Sequence, residues 1–206
     1  PSRFSHALGK LHHRGPDNQG MQIVGDELLL GHTRLSIIDL SDNNNQPLHV
    51  LDRYWLVYNG EIFNYLELRE ELIGLGANFQ TSGDTEVLVY AYIYWGEECV
   101  SRFNGMWSFA IYDTQEKRLF CSRDRFGVKP FNYAVYDGQF YFASEIKAII
   151  AYEPGLIEPD YNVIANFCRT SVGAQHAQTW FKQIFRLQPG HNLTICEGKI
   201  VTKRYW

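Results

Sequence analysis

The sequence predicts an α+β domain in which antiparallel sheets are covered by helices. Three observations predict it. Aromatic residues make up 15% of the 206 residues and cluster in alternating stretches such as Phe140-Tyr141-Phe142, where flat side chains pack on a pleated surface. Apolar runs of strand length come in pairs joined by short polar turns, which marks hairpins. Between them lie segments with helical apolar spacing, and signals for parallel crossovers are few. With 45% hydrophobic residues over this length, the chain can bury one large core.

In chain order, residues 27–31 and 34–38 read as strands flanking a short turn. Residues 42–45, Asp-Asn-Asn-Asn, form a polar loop too short to separate domains, and residues 54–58 form a continuous apolar strand. Asn64 reads as a helix N-cap with Glu67 as its capping-box partner. Leu68, Leu72 and Leu75 then recur at helical spacing until Gly76 closes the element. A second helix over 85–95 carries Val87, Leu88, Ala91 and Trp95 on one face. Strands at 106–112 and 118–122 are joined by the polar turn 113–117. Strands at 132–136 and 139–143 are joined by Asp137-Gly138, a strong hairpin signal. Shorter helices are expected at 144–151 and 160–168. Strands at 191–196 and 200–204 bracket Glu197-Gly198-Lys199. No internal repeat is present.

Composition excludes several function classes. The formal net charge is −4 and no Lys/Arg block occurs, so nucleic acid is not an expected partner. No apolar run approaches the roughly 18 residues that cross a bilayer, so no membrane partner is expected, and no signal peptide is visible. Cys99, Cys121, Cys168 and Cys196 are scattered without a CxxC pair, which argues against a metal site. They read as reduced thiols of a cytoplasmic protein.

Five segments interrupt apolar strands with polar residues of strict geometry: 13–17, 31–39, 58–62, 82–86 and 122–130. Asn59-Gly60-Glu61 follows a buried strand. Asn59 brings a side-chain NH2 and Gly60 an unobstructed backbone N–H, two donors able to hold an oxyanion; alone, Asn-Gly is also a common turn dipeptide. Arg34, inside an apolar strand, can hold a carboxylate bidentately; a structural ion pair with Asp39 or Asp84, or a strand face open to water, are the competing readings. Asp84 precedes a helix, where it can act as an N-cap or accept hydrogen bonds from a ligand ammonium group. Together the three describe a site for a free amino acid, with Arg34 on the α-carboxylate, Asp84 on the α-amino group, and Asn59 with Gly60 on a side-chain carbonyl.

The motifs HRGPD, GHxRLSIID, NGEIxNY, SGDTEVL, NGMxxFAIYD and SRDRFGxKPxxY, in this order, resemble the glutaminase domain of asparagine synthetases. The likeness continues through residues 143–147 and 187–191 to Arg204-Tyr205-Trp206, so it covers nearly the whole chain. It implies a class II glutamine amidotransferase with the four-layer αββα sandwich of N-terminal-nucleophile hydrolases. In that family an N-terminal cysteine attacks the glutamine amide with its own α-amino group as base. The resemblance implies that Arg34 and Asp84 hold the amino-acid end of glutamine. Asn59 and Gly60 form the oxyanion hole, while Glu61 and the backbone of Leu35, Ser36, Ile37 and Ile38 line the pocket. Arg14 lies near the nucleophile. No cofactor is expected in this domain. ATP and Mg2+ are expected in a synthetase domain of the same polypeptide, where ammonia amidates aspartate to asparagine; assembly as a homodimer stays open.

The chain departs from the family in one respect. Family members begin Met-Cys-Gly-Ile, followed by a strand, whereas this chain begins at Pro1 within the helix that leads to His13-Arg14. The expectation is a glutaminase domain over 1–206 truncated at its N-terminus, with the first strand, the nucleophilic cysteine and the synthetase domain all outside these residues. As given, such a chain does not hydrolyse glutamine. The missing stretch is expected to be disordered or cleaved first of all, cut away next, and naturally absent last. A non-catalytic glutamine-binding or scaffold domain, or an amidotransferase for a sugar or peptide acceptor, is the alternative.

Overall fold

The computed structural model describes residues 2–36, 42–170 and 177–206. Along the chain, α1 (Ser2–Gly9) leads to β1 (Asn18–Val24), β2 (Leu28–Arg34), β3 (Leu48–Val50) and β4 (Tyr54–Ile62). Then come α2 (Tyr65–Gly74), α3 (Asp84–Trp95), α4 (Cys99–Arg102), β5 (Gly105–Asp113) and β6 (Arg118–Arg123). The hairpin of β7 (Asn132–Tyr136) and β8 (Gln139–Ala143) precedes α5 (Ile146–Tyr152) and α6 (Tyr161–Thr170). Finally β9 (Ile184–Arg186), β10 (His191–Cys196) and β11 (Lys199–Arg204) close the chain.

Six strands form one antiparallel sheet in the order β11-β10-β6-β5-β4-β3. Alternation along its central strands separates two cores, because successive side chains leave opposite faces. Leu56, Tyr58 and Ile62 of β4, with Trp107, Phe109 and Ile111 of β5, pack against Leu68, Leu72, Val87, Leu88 and Ala91 of α2 and α3. Val57, Ala110, Tyr112, Leu119 and Cys121 face the other way, onto Val24, Leu30 and Phe131. Burial of each large apolar side chain contributes roughly 1.5–3 kcal/mol, so the two cores fix which face of β4 looks where.

The second sheet layer comes in two pieces, the hairpin β1–β2 and the three strands β8-β7-β9. α1 packs on β2 and on α5, and α5 packs on β7 and β8, so one helical layer spans both pieces. The layer order is helices, sheet, sheet, helices, the expected αββα sandwich. Among the described residues no helix is long and apolar enough to cross a membrane.

Several local expectations are revised. Residues 27–31 and 34–38 do not flank a turn. Leu28–Arg34 is a single strand, and it pairs with Asn18–Val24, a strand the sequence does not flag. Gly31 is small because α1 lies on it, a Cβ there falling 2.7 Å from Phe4 Cε1. Ile37, Ile38 and Asp39 lie outside the described residues. The run at 54–58 extends to Ile62, so Asn59-Gly60 sits in mid-strand rather than in a turn. Asn64 precedes α2 but makes no capping bond. Its Oδ1 accepts the Asn104 N–H at 2.8 Å and its Nδ2 donates to the Arg102 carbonyl at 3.1 Å, tying the start of α2 to the end of α4. Asp137-Gly138 turns as predicted, with φ of 49° and 72°. The last hairpin turns on Glu197 and Gly198 alone, with Lys199 already paired to Cys196.

The segment after β6 is held by a buried carboxylate. Asp124, fully buried, accepts backbone N–H bonds from Phe126 at 3.1 Å, Val128 at 2.9 Å, Lys129 at 2.9 Å and Trp107 at 3.3 Å. Arg123 beside it donates to the carbonyls of Gly127, Lys129 and Leu187. Polar residues in this motif therefore replace a strand partner for a loop that crosses the sheet end. Asp124→Ala is expected to lower unfolding free energy in urea by about 3–5 kcal/mol, because several donors lose their acceptor at once. Asp124→Asn, which keeps one carbonyl oxygen, is expected to cost about half as much.

Candidate active site

β4 has a neighbour on both edges only as far as Leu56, where β3 ends. Beyond it, side chains serve the open edge. Gln46 Oε1 accepts the Tyr58 N–H at 2.6 Å, His32 Nε2 meets the Tyr58 carbonyl at 3.0 Å, and Asp84 Oδ2 accepts the Ile62 N–H at 3.0 Å. Backbone groups two residues apart point the same way along a strand. The Gly60 N–H, between those of Tyr58 and Ile62, therefore points out of the same edge. Asn59 and Glu61, at odd positions, leave the face shared with Val57, toward the space between the sheets.

That space is a cleft of about 1000 Å³. Asn59, Gly60, Glu61, Asp84, Arg34, Leu35 and Arg14 all line it, together with the facing strands β2 and β8. The expected site residues thus converge. Ser36 is not on the cleft wall; its N–H is held by Asp17 Oδ2 at 2.7 Å. Ile37 and Ile38, also expected there, lie outside the described residues.

The His13–Asp17 segment clamps the end of β2. Gly15 lies so close to it that a Cβ would fall 2.3 Å from the Thr33 carbonyl oxygen, and the Asp17 N–H reaches the Arg34 carbonyl at 3.0 Å. Arg14 Nη1 donates to Glu145 at 3.1 Å, as His13 does at 2.9 Å and Lys147 at 2.8 Å. These three partners overcome the burial of the Glu145 carboxyl and lower its pKa to about 2.

Arg34 is buried, and its Nη1 donates to Asn45 Oδ1 at 2.7 Å. The preceding residue, Asn44, lies against Gly83, its Nδ2 2.8 Å from where a Cβ would stand. One loop thereby touches both the arginine and the start of α3. Asp84 is not the N-cap of α3; Gly83 is, and Asp84 is the first helical residue, where a negative charge suits the helix dipole. Asp84 Oδ2 accepts from Tyr58 Oη at 2.8 Å as well as from Ile62. Burial raises the Asp84 pKa and these hydrogen bonds pull it down.

Among the described residues six buried side-chain atoms have no hydrogen-bond partner; three of them, His32 Nδ1, Asn44 Oδ1 and Asn59 Nδ2, belong to residues lining this cleft. Buried polar groups without partners are costly to a fold, so their concentration marks a place built for a polar ligand. The thiols lie elsewhere. Cys99 and Cys121 are sealed in the cores, where burial pushes both pKa values up, and Cys168 and Cys196 are not on the cleft wall.

Sequence reasoning missed His32, Gln46, Asn44, Tyr58 and Glu86. Glu86 accepts both the N–H and hydroxyl of Thr81 and the Gln80 N–H, which fixes the loop entering α3. A histidine in an apolar strand and an acid in the third position of a buried helix were the available signals.

A sequence profile for the glutamine amidotransferase domain matches residues 1–206. A protein named asparagine synthetase [glutamine-hydrolyzing] 3, from Bacillus subtilis (strain 168), is 37% identical over 99% of this chain and 33% of its own length. A protein named amidase chyE, from Penicillium rubens, is 34% identical over 92% of this chain and 27% of its own. The chain thus spans about a third of the length of the curated relatives it matches. The solved glutamine phosphoribosylpyrophosphate amidotransferase of B. subtilis overlies the whole chain and 47% of its own at a TM-score of 0.72 and 20% identity, which speaks to the fold.

The imidazole at the β4 edge gives this site a pH signature. A carbonyl only accepts, so His32 Nε2 carries the proton and Nδ1 stays bare. Burial, and to a smaller degree the nearby Arg34 charge, lowers the His32 pKa from 6.5 to about 4. The unfolded chain takes up this proton first as pH falls, so stability is lost from about pH 6.5 downward until the folded pKa is passed. Between pH 7 and 4.5, wild type is expected to lose roughly 2–3 kcal/mol more than His32→Gln in urea titrations. Parallel pH curves for the two proteins would contradict it.

Proposed function

The chain belongs to the glutamine amidotransferase domain family, and from that premise we propose that its cleft is where glutamine is hydrolysed to glutamate and ammonia. The observation that carries the reading is the Gly60 N–H at the open edge of β4 beside the unpartnered Asn59 amide, with Arg34 and Asp84 in the same cleft. Arg34 takes the α-carboxylate, Asp84 the α-ammonium, and Glu61 with the backbone after Arg34 lines the channel to the amide. A thiolate attacks the amide carbon. As the C–S bond forms, the carbonyl oxygen takes the charge and is held by Gly60 and Asn59. The C–N bond then breaks, and ammonia leaves with a proton carried by the nucleophile's own α-amine. Water hydrolyses the thioester to glutamate and returns the thiol.

Neither core cysteine can serve, since burial keeps both thiols protonated. The reading takes the nucleophile from a strand of the same polypeptide seated between β2 and β8, which would join the two pieces of the second layer into one sheet. It would emerge beside Arg14. The 206 residues alone are then expected to be inactive. The ammonia serves a synthetase domain that uses ATP and Mg2+ to amidate aspartate, in keeping with the relatives named asparagine synthetase. The glutaminase step itself is thiol chemistry and calls on neither.

A polypeptide that carries these residues after the family's cysteine is expected to release glutamate from glutamine, and to lose the activity by orders of magnitude when that cysteine is replaced. Activity that survives the replacement would overturn the covalent scheme; glutamine binding without any turnover would favour a non-catalytic domain. Arg34→Ala is expected to weaken glutamine binding by roughly 2–5 kcal/mol in calorimetry, and unchanged affinity would remove Arg34 from the pocket.

A further inference from the structure

Asp84 is the group on which recognition of a free amino acid turns, yet it sits at the edge of a core. Its carboxylate can face a ligand only if something holds it there. Tyr58 is placed to do so by strand alternation: it leaves the helix-facing side of β4, where the first turn of α3 lies. Its hydroxyl donates to Asp84 Oδ2 at 2.8 Å, and the Ile62 N–H donates to the same oxygen at 3.0 Å. Two donors on one oxygen fix the rotation of the carboxylate. The other oxygen, Oδ1, is then the one available to a ligand. Tyr58 is itself buried, so its hydroxyl has no water to turn to.

The same ring does a second thing. A Cβ at Gly60 would stand 2.6 Å from Tyr58 Cε2, so the ring lies over Gly60. It touches the backbone at the amide end of the cleft and the carboxylate at the amino end.

We propose that Tyr58 is a positioning residue that orients Asp84 for the ammonium group of an α-amino-acid substrate, so that the site selects the free amino acid over an amide lacking the amine. The inference rests on the glutamine reading of this cleft. It goes beyond that reading in assigning selectivity to a residue that acts on the substrate through Asp84.

The test compares glutamine with glutaramate, which is glutamine with hydrogen in place of its amine, in the natural polypeptide that carries this domain. Ammonia release gives kcat and KM for each. Tyr58→Phe keeps the ring and removes only the hydroxyl. It is expected to raise KM for glutamine roughly ten- to hundredfold, the usual worth of a hydrogen bond to a charged group. The change in kcat is expected to stay within about twofold, and kcat/KM for glutaramate to stay unchanged. With Asp84→Asn as background, Tyr58→Phe is expected to add nothing, since its route to the substrate is already cut.

Equal losses on glutamine and glutaramate would make Tyr58 a packing residue and overturn the proposal. So would additive losses in the double variant. Failure of the parent reading looks different, because wild-type protein would then fail to release ammonia from glutamine at all.

Discussion

The open edge of β4 is the constraint from which the site follows. A strand in mid-sheet needs a partner on each side, because an unpaired buried backbone group costs about as much as a lost hydrogen bond. β3 supplies that partner only through Leu56. From Tyr58 onward Gln46, His32 and Asp84 supply it instead, each from a different element and each with one polar atom. Their side chains have to be buried to reach the strand, and they arrive with further polar atoms that the strand does not use. The polar character of the cleft is in this sense a by-product of stopping β3 early. Gly60 is the position where neither a strand nor a side chain intervenes.

The fold was legible where local chemistry decides it. Asp137-Gly138 demands a type I′ turn, and the apolar runs of β5 and β6 leave room for nothing but buried strands. β1 was not legible, because Asn18–Val24 carries glutamines and a glycine where a half-buried strand usually alternates. Its Gly20 packs against the Gln46 carbonyl, a contact with no trace in local sequence. The reading of 32–33 as a turn failed for the same reason, since Gly31 beside it answers to α1. Asn59-Gly60 carries a turn signature inside a strand, and tertiary pairing with β5 overrode it.

For the site, the residues whose chemistry is conspicuous in sequence came together: Arg34 in an apolar strand, Asp84 at a helix start, Asn59 beside a glycine. Those missed act through partners far along the chain. His32 and Tyr58 are 26 residues apart, as are Tyr58 and Asp84, and Tyr58 by itself reads as one more aromatic in a buried run. Arg14 was expected at the reacting end, and in the structure it is anchored to Glu145, which also gathers His13 and Lys147. That anchoring joins the loop after α1 to the start of α5, so the helical layer and the cleft wall are braced by one carboxylate.

Gly60 carries a consequence of a different kind. A backbone donor cannot be altered by changing a side chain, since nearly every residue has an N–H. A Cβ at position 60, however, would fall 2.3 Å from the Met106 carbonyl oxygen and 2.6 Å from the Tyr58 ring, so no residue with a Cβ fits without moving β5. The donor is shielded from drift by the packing around it. The cleft-lining side chains of Arg34, Glu61 and Asp84 can each be exchanged by a change of one codon, while the N–H at the open edge of β4 stays where it is.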